Sequence, residues 1–166
     1  MTPELHRPLP LRQIPKAGTA IVVEASEAER EALARRVGLP AIAALRCEFM
    51  LHPLPGGAVA AHLHLRAEIT QICVVTLDPF AATLVEEAHL RFVPAGRESD
   101  DPDPEAPDEI PFEGEAIDLG EAAAEQLALA LDPYPRKPGV VDPAAAESGP
   151  AEAHPFAGLA GRTRPH

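Results

Sequence analysis

Apolar and polar residues alternate over two neighbouring stretches of this chain. Leu45, Cys47, Phe49 and Leu51 take every second position of the first, and Leu63, Leu65, Ala67 and Ile69 take every second position of the second. Side chains two apart share a strand face, so the pattern predicts strands over residues 42–54 and 58–76, joined at Pro55-Gly56-Gly57. A two-residue loop at Gly56-Gly57 would set Leu51 opposite His62 and Phe49 opposite His64, mixing the faces. A three-residue loop with glycine in the left-handed conformation sets Leu51 opposite Ala61, Phe49 opposite Leu63 and Cys47 opposite Leu65. The three-residue loop is therefore expected.

The flanking chain is punctuated by caps and prolines. Pro3, Pro8, Pro10 and Pro15 make residues 1–18 an extended lead-in, whose Leu5, Leu9, Leu11 and Ile14 can dock on the domain. Thr19–Glu24 reads as a short strand. Ser26 with Glu29 three positions on forms a capping pattern for a helix over Glu27–Val37, closed by Gly38 ahead of Pro40. After the long hairpin, Leu77-Asp78-Pro79 breaks the ladder. Extended chain resumes over residues 80–93, anchored by Leu84, Leu90 and Phe92. A further short strand is expected over residues 109–117. Asp118 with Glu121 repeats the cap spacing ahead of a second helix over residues 122–131, ended by Pro133, Pro135 and Pro138. The fold class expected is α+β: an antiparallel sheet or meander, with barrel-like closure as a variant, two short helices, an extended N-terminal lead-in and a disordered C-terminal tail. One domain spans residues 19–135, and residues 136–166 read as flexible tail, carrying a small apolar island from His154 to Leu159.

Composition adds constraints. The chain has 166 residues, no Trp, one Tyr and five Phe, so its core is built from Leu, Ile, Val and Ala. The formal net charge of −12 repels phosphate backbones and disfavours a broad nucleic-acid interface, DNA included. The charge is uneven. Glu98, Asp100, Asp101, Asp103, Glu105, Asp108 and Glu109 crowd one stretch; without them 14 basic residues face 19 acidic ones, a balance of −5. Residues 94–108 are expected to form a mobile acidic loop, since prolines and carboxylates supply too little apolar surface to offset ordering entropy. No apolar run reaches the length that crosses a bilayer, and two cysteines in apolar settings fit a reducing compartment, so a cytoplasmic protein without membrane contact is expected.

Candidate chemistry is sparse. His62 and His64 share a strand face, and His52 lies across the turn, which is read as placing it on the opposite face; zinc needs three or four convergent ligands, so a metal site is not expected. His64 opposite Glu48 reads as an ordinary exposed pair. Cys73 stands among Ile72, Val74 and Val75, and reads with Cys47 as a buried structural thiol rather than a nucleophile. Gly56-Gly57 lacks the spacing of a phosphate cradle.

The ordered set Gln71-Ile72-Cys73-Val74-Val75-Thr76-Leu77-Asp78-Pro79-Phe80, Asp118-Leu119-Gly120-Glu121 and Leu129-Ala130-Leu131-Asp132-Pro133-Tyr134-Pro135, with the lead-in Arg7-Pro8-Leu9 and the segment Leu39-Pro40-Ala41-Ile42, resembles the YceD family, the bacterial large ribosomal RNA subunit accumulation proteins, in the form found in its alphaproteobacterial branch. The resemblance runs from about Arg7 to Pro135 and weakly over the tail island. It implies that Arg7, Pro8, Gln71, Cys73, Val75, Leu77, Pro79, Asp118, Leu119, Glu125, Leu129, Leu131, Pro133 and Pro135 are structural or partner-binding positions. The chain departs from the family's cysteine-x-x-cysteine-like pattern, because Thr76 follows Cys73-Val74-Val75 and no cysteine follows Leu131. Metal or redox roles tied to those cysteines do not carry over. What the resemblance implies is a non-enzymatic factor for 23S ribosomal RNA accumulation and large-subunit biogenesis. No cofactor is implied; the partners are ribosomal or RNA-processing proteins, and ribosomal RNA is contacted indirectly. Two other classes of reading stand beside it: a small metal- or ligand-binding enzyme using His52, His62, His64 or a cysteine, and an interaction adaptor using Phe156 and Leu159.

Overall fold

The computed structural model describes residues 3–99 and 106–141. Along the chain run β1 (Pro8–Pro10), β2 (Thr19–Glu24), α1 (Glu27–Val37), β3 (Ala41–Pro53), β4 (Val59–Ile72), β5 (Pro79–Pro94), β6 (Asp108–Phe112), β7 (Ala116–Asp118) and α2 (Leu119–Ala130). Five strands form one sheet in the order β2-β3-β4-β5-β6, and β1 pairs with β7 in a two-stranded ribbon. The architecture is α+β. Among the described residues the large sheet stays open, with β2 and β6 at its two sides, so the barrel-like variant is not realised.

The β3–β4 hairpin has the three-residue connection, with Leu51 opposite Ala61, Phe49 opposite Leu63 and Cys47 opposite Leu65. Gly56 and Gly57 both take positive φ there, 78° and 82°, which a β-carbon would strain. Register is strongly specified because a one-residue slip would turn Phe49, Leu63 and Leu65, all fully buried, to the solvent face. A bulge between Ile42 and Ala44 adds one residue to β3, so that Ile42 and Leu45, three apart, are both buried.

Four expectations need correction. The strand expected to reach Thr76 ends at Ile72, because residues 73–78 fold into a turn closed by Cys73 N–H to the Asp78 carbonyl (2.9 Å) and Leu77 N–H to the Cys73 carbonyl (2.8 Å). The single strand expected over residues 109–117 is two, divided at Gly114, whose φ of 76° turns the chain. Pairing is not antiparallel throughout: β6 runs parallel to β5, as a crossover between consecutive strands allows. Asp108 and Glu109, counted with the acidic loop, belong to β6, where Glu109 sits opposite Arg91, their side chains 3.6 Å apart. Glu98 is exposed, while Asp100, Asp101, Asp103 and Glu105 lie outside the described residues, as does the island from His154 to Leu159.

Both helices pack on the inner face of the sheet. Leu33 and Ala34 of α1, and Leu119, Ala122, Ala123 and Leu127 of α2, join one cluster with Phe49, Leu63, Leu65, Leu90 and Phe92. Fully burying side chains of this size stabilises by about 1.5–3 kcal/mol each. The lead-in belongs to the same core, since Leu5 is fully buried in it and Ile14 nearly so. α1 begins with the reciprocal Ser26–Glu29 capping box and ends at Gly38 with φ 72°. At α2, Asp118 caps Gly120 and Glu121, but the Glu121 carboxylate turns away from the cap and pairs with Arg36 at 2.7 Å.

Candidate functional site: an apolar groove at the end of the sheet

After α2 the chain cannot continue as helix, because Pro133 and Pro135 lack the N–H donor and fix φ. It runs instead past the turn that follows β4. The Pro135 carbonyl accepts from Val74 N–H at 2.9 Å, and Lys137 N–H donates to Cys73 Sγ at 3.4 Å. Between this segment, the turn and the end of α1 lies a groove of about 530 Å³, whose walls include Gln71, Cys73, Leu77, Leu131, Pro133 and Pro135. Those six come from two separate stretches singled out in the sequence. Ile72 and Val74 are partly exposed there, and Leu77 is 75% exposed.

Leu77 has φ 61°, the one positive φ outside glycine among the described residues. For an ordinary side chain that region costs roughly 1–2 kcal/mol. A large apolar side chain is thus held in solvent on a strained backbone, a combination that folding alone does not favour.

Both cysteines are buried, as expected, but their surroundings differ. Burial pushes the Cys47 thiol up to about 12. Cys73 is also buried, yet its thiol is held down to about 6, first by the Lys137 backbone N–H, then by the hydroxyl and N–H of Thr76 and the N–H of Val75. Donors that reach the sulfur favour its thiolate, the opposite of the effect of burial on Cys47.

A second group of singled-out residues forms a clasp away from the groove. Asp118 accepts from Arg7 N–H at 2.8 Å, Gly120 N–H at 2.9 Å, Glu121 N–H at 3.2 Å, and from His6. Leu119 N–H donates to the Arg7 carbonyl at 3.1 Å, and Pro8 starts the strand that pairs with β7. The Arg7 guanidinium reaches both carboxylate oxygens of Glu29, at 2.7 and 2.9 Å. The Glu29 carboxyl is held down to about 2, mainly by Arg7. For Asp118 burial acts upward, but the Arg7 and Glu121 N–H groups and His6 outweigh it and hold the carboxyl low. Gly120 completes the clasp: a β-carbon there would lie 2.5 Å from the Leu5 carbonyl oxygen. Val75 and Pro79 sit in and just after the turn, while the exposed Glu125 and Leu129 of α2 lie outside the groove.

The histidines are arranged otherwise than expected. Met50 pairs with His62 and Glu48 with His64, and residues directly opposite share a face, so His52, two positions from Met50, lies on the same face as both. It is taken up elsewhere, with its ring over Gly18, where a β-carbon would sit 2.4 Å from Nδ1. His62 stacks on His89 with centroids 4.7 Å apart. Among the described residues no three of His, Cys, Asp and Glu are grouped so as to hold a metal ion.

Residues 61–161 match the family model described as large ribosomal RNA subunit accumulation protein YceD. The chain belongs to the YceD family. The YceD match takes in β4, the turn at Cys73, β5 and α2, and so two of the groove's three walls; it also spans the tail island but not Arg7, Pro8 or α1. The YceD description ties the family to accumulation of the large ribosomal RNA subunit. Neither the curated proteins nor the solved structures return a match to this chain. Among the described residues no helix is long and apolar enough to cross a membrane.

Proposed function

We propose that this chain supports 23S ribosomal RNA accumulation and large-subunit biogenesis in the cytoplasm as a non-catalytic factor that binds proteins, the partners being basic ribosomal or RNA-processing proteins. The observation that carries the reading is the groove between Cys73, Leu77 and Leu131, an apolar surface with a leucine held out on strained backbone. Large exposed apolar side chains on a fixed frame anchor protein interfaces. The charge supports the choice of partner: a molecule of net charge −12 is steered toward basic proteins and away from naked RNA. RNA is then stabilised at one remove, through the proteins that coat or process it.

The test is complementation of a deletion strain, with 23S RNA measured against 16S RNA. Wild-type chain restores the ratio. Leu77→Asp, which alters an exposed position, fails to restore it while the purified variant keeps the wild-type melting temperature. Full restoration by Leu77→Asp would remove the groove from the function.

A further inference from the structure

β5 is paired along its whole length on one side and only at one end on the other. Its residues 79–92 match β4, whereas β6 joins at Leu90 and continues to Pro94. Among the described residues nothing pairs with the second side of residues 79–89, so their backbone groups form an open strand edge. Such an edge is a template for another chain.

The side chains beside this edge break the fold's own pattern. Leu84 lies opposite Ala67 and Ala88 opposite Leu63, which places both on the inner face; Glu86 lies opposite Leu65 and shares that face. A carboxylate thus stands where the alternation calls for an apolar group. Next to it is a cavity of about 570 Å³, bordered by Glu86, Glu87, Asp108, Gln126 and Leu129. Gln126 is only 6% exposed and lines that cavity. Asp108, opposite the buried Leu90, adds a second carboxylate on the same face as Glu86.

We propose that the free side of β5, over residues 79–89, accepts an extended segment of a basic partner protein as an added strand, with a lysine or arginine side chain of that segment entering the cavity between Glu86 and Gln126. The proposal rests on the protein-binding role proposed above and names where and how a basic partner is held. The Gln126 amide oxygen accepts from the incoming cation, Glu86 and Asp108 neutralise it, and Leu129 covers its methylene stem. Charge selects this occupant. Glu86 and Asp108 on this side are complementary to a basic segment. A second copy would bring −12 against −12.

The experiment uses the full chain and a fluorescent peptide alternating lysine with valine, long enough to cover residues 79–89, with binding read by anisotropy and backbone protection by amide hydrogen exchange. Binding is expected, with slowed exchange at the amides of residues 79–89 that face away from β4; a glutamate–valine peptide and a lysine–valine peptide with a central proline bind at least about tenfold more weakly. Glu86→Gln and Gln126→Leu each weaken the lysine–valine peptide by a similar factor. Four results overturn the proposal: no binding, equal binding of the acidic peptide, protection confined to residues 71–77, or slow exchange already in the free protein at the alternate amides of residues 79–89 that face away from β4, which would mean that its own chain or a second copy covers the edge. Protection confined to residues 71–77 leaves the protein-binding role standing. That role falls separately, if Leu77→Asp restores 23S RNA in full.

Discussion

Leu77 N–H donates to the Cys73 carbonyl oxygen at 2.8 Å, closing the turn that holds Leu77 at φ 61° with its side chain in solvent. Strain and exposure there have opposite consequences for stability and for function. Leu77→Gly relieves the left-handed conformation and is expected to raise the unfolding free energy by up to about 1 kcal/mol, the extra backbone freedom of glycine offsetting part of the gain. The same variant removes the apolar anchor and is expected to lower 23S RNA accumulation. Denaturant unfolding and RNA ratios on one variant check both signs.

The donors around Cys73 are expected to make stability depend on pH. The folded thiol titrates near 6, against an ordinary value of 9.0. A group whose folded value is depressed contributes stability that is complete above its unfolded value and is lost as pH falls through its folded value. Wild type is therefore expected to gain stability over Cys73→Ser as pH rises from about 6 to about 9. Melting temperatures across that window, with ultraviolet thiolate absorbance as a direct readout, check the slope. A flat difference would mean that the thiol is not ionised in the fold.

Glu29 gives a second window on the acid side. Its carboxyl is held near 2 by Arg7, against an ordinary value of 4.5. The contribution is complete above about 4.5 and disappears as pH falls toward 2. Arg7→Ala is expected to destabilise at neutral pH by about 1–2 kcal/mol, and the gap to wild type is expected to narrow between pH 4.5 and 2. Acid titration followed by circular dichroism measures the narrowing.

Gly120 lies inside α2, where alanine is ordinarily the better helix former by about 1 kcal/mol. Here the sign reverses. The alanine β-carbon would meet the Leu5 carbonyl oxygen at 2.5 Å, against backbone that Arg7 and Asp118 pin in place. Gly120→Ala is expected to destabilise by about 2 kcal/mol, measured by urea unfolding.

The long hairpin was legible because period-two alternation and burial permit one register, and both helix starts were legible because Ser26 and Asp118 cap locally. The parallel pairing of β6 was not legible, since it depends on where the crossover after β5 lands rather than on any pattern within Asp108–Phe112. The face of His52 was misread although the register itself determines it: Met50 opposite His62 obliges His52 to follow. Of the groove, the sequence pointed to Gln71, Cys73, Leu77 and Leu131 through family likeness, but not to their convergence. That depends on Pro135 and Lys137 meeting the turn from more than sixty positions away. The donors around Cys73 and the open side of β5 were invisible for the same reason, both being products of long-range packing.

The central claim is that this YceD-family chain acts by holding proteins. Its most direct test is a competition at physiological salt between purified basic large-subunit proteins and naked 23S RNA for the immobilised full-length chain. The account requires at least one basic protein to be retained, to be lost on Leu77→Asp, and to be undisturbed by excess RNA. Tight, salt-sensitive retention of naked RNA that persists in Leu77→Asp would contradict it.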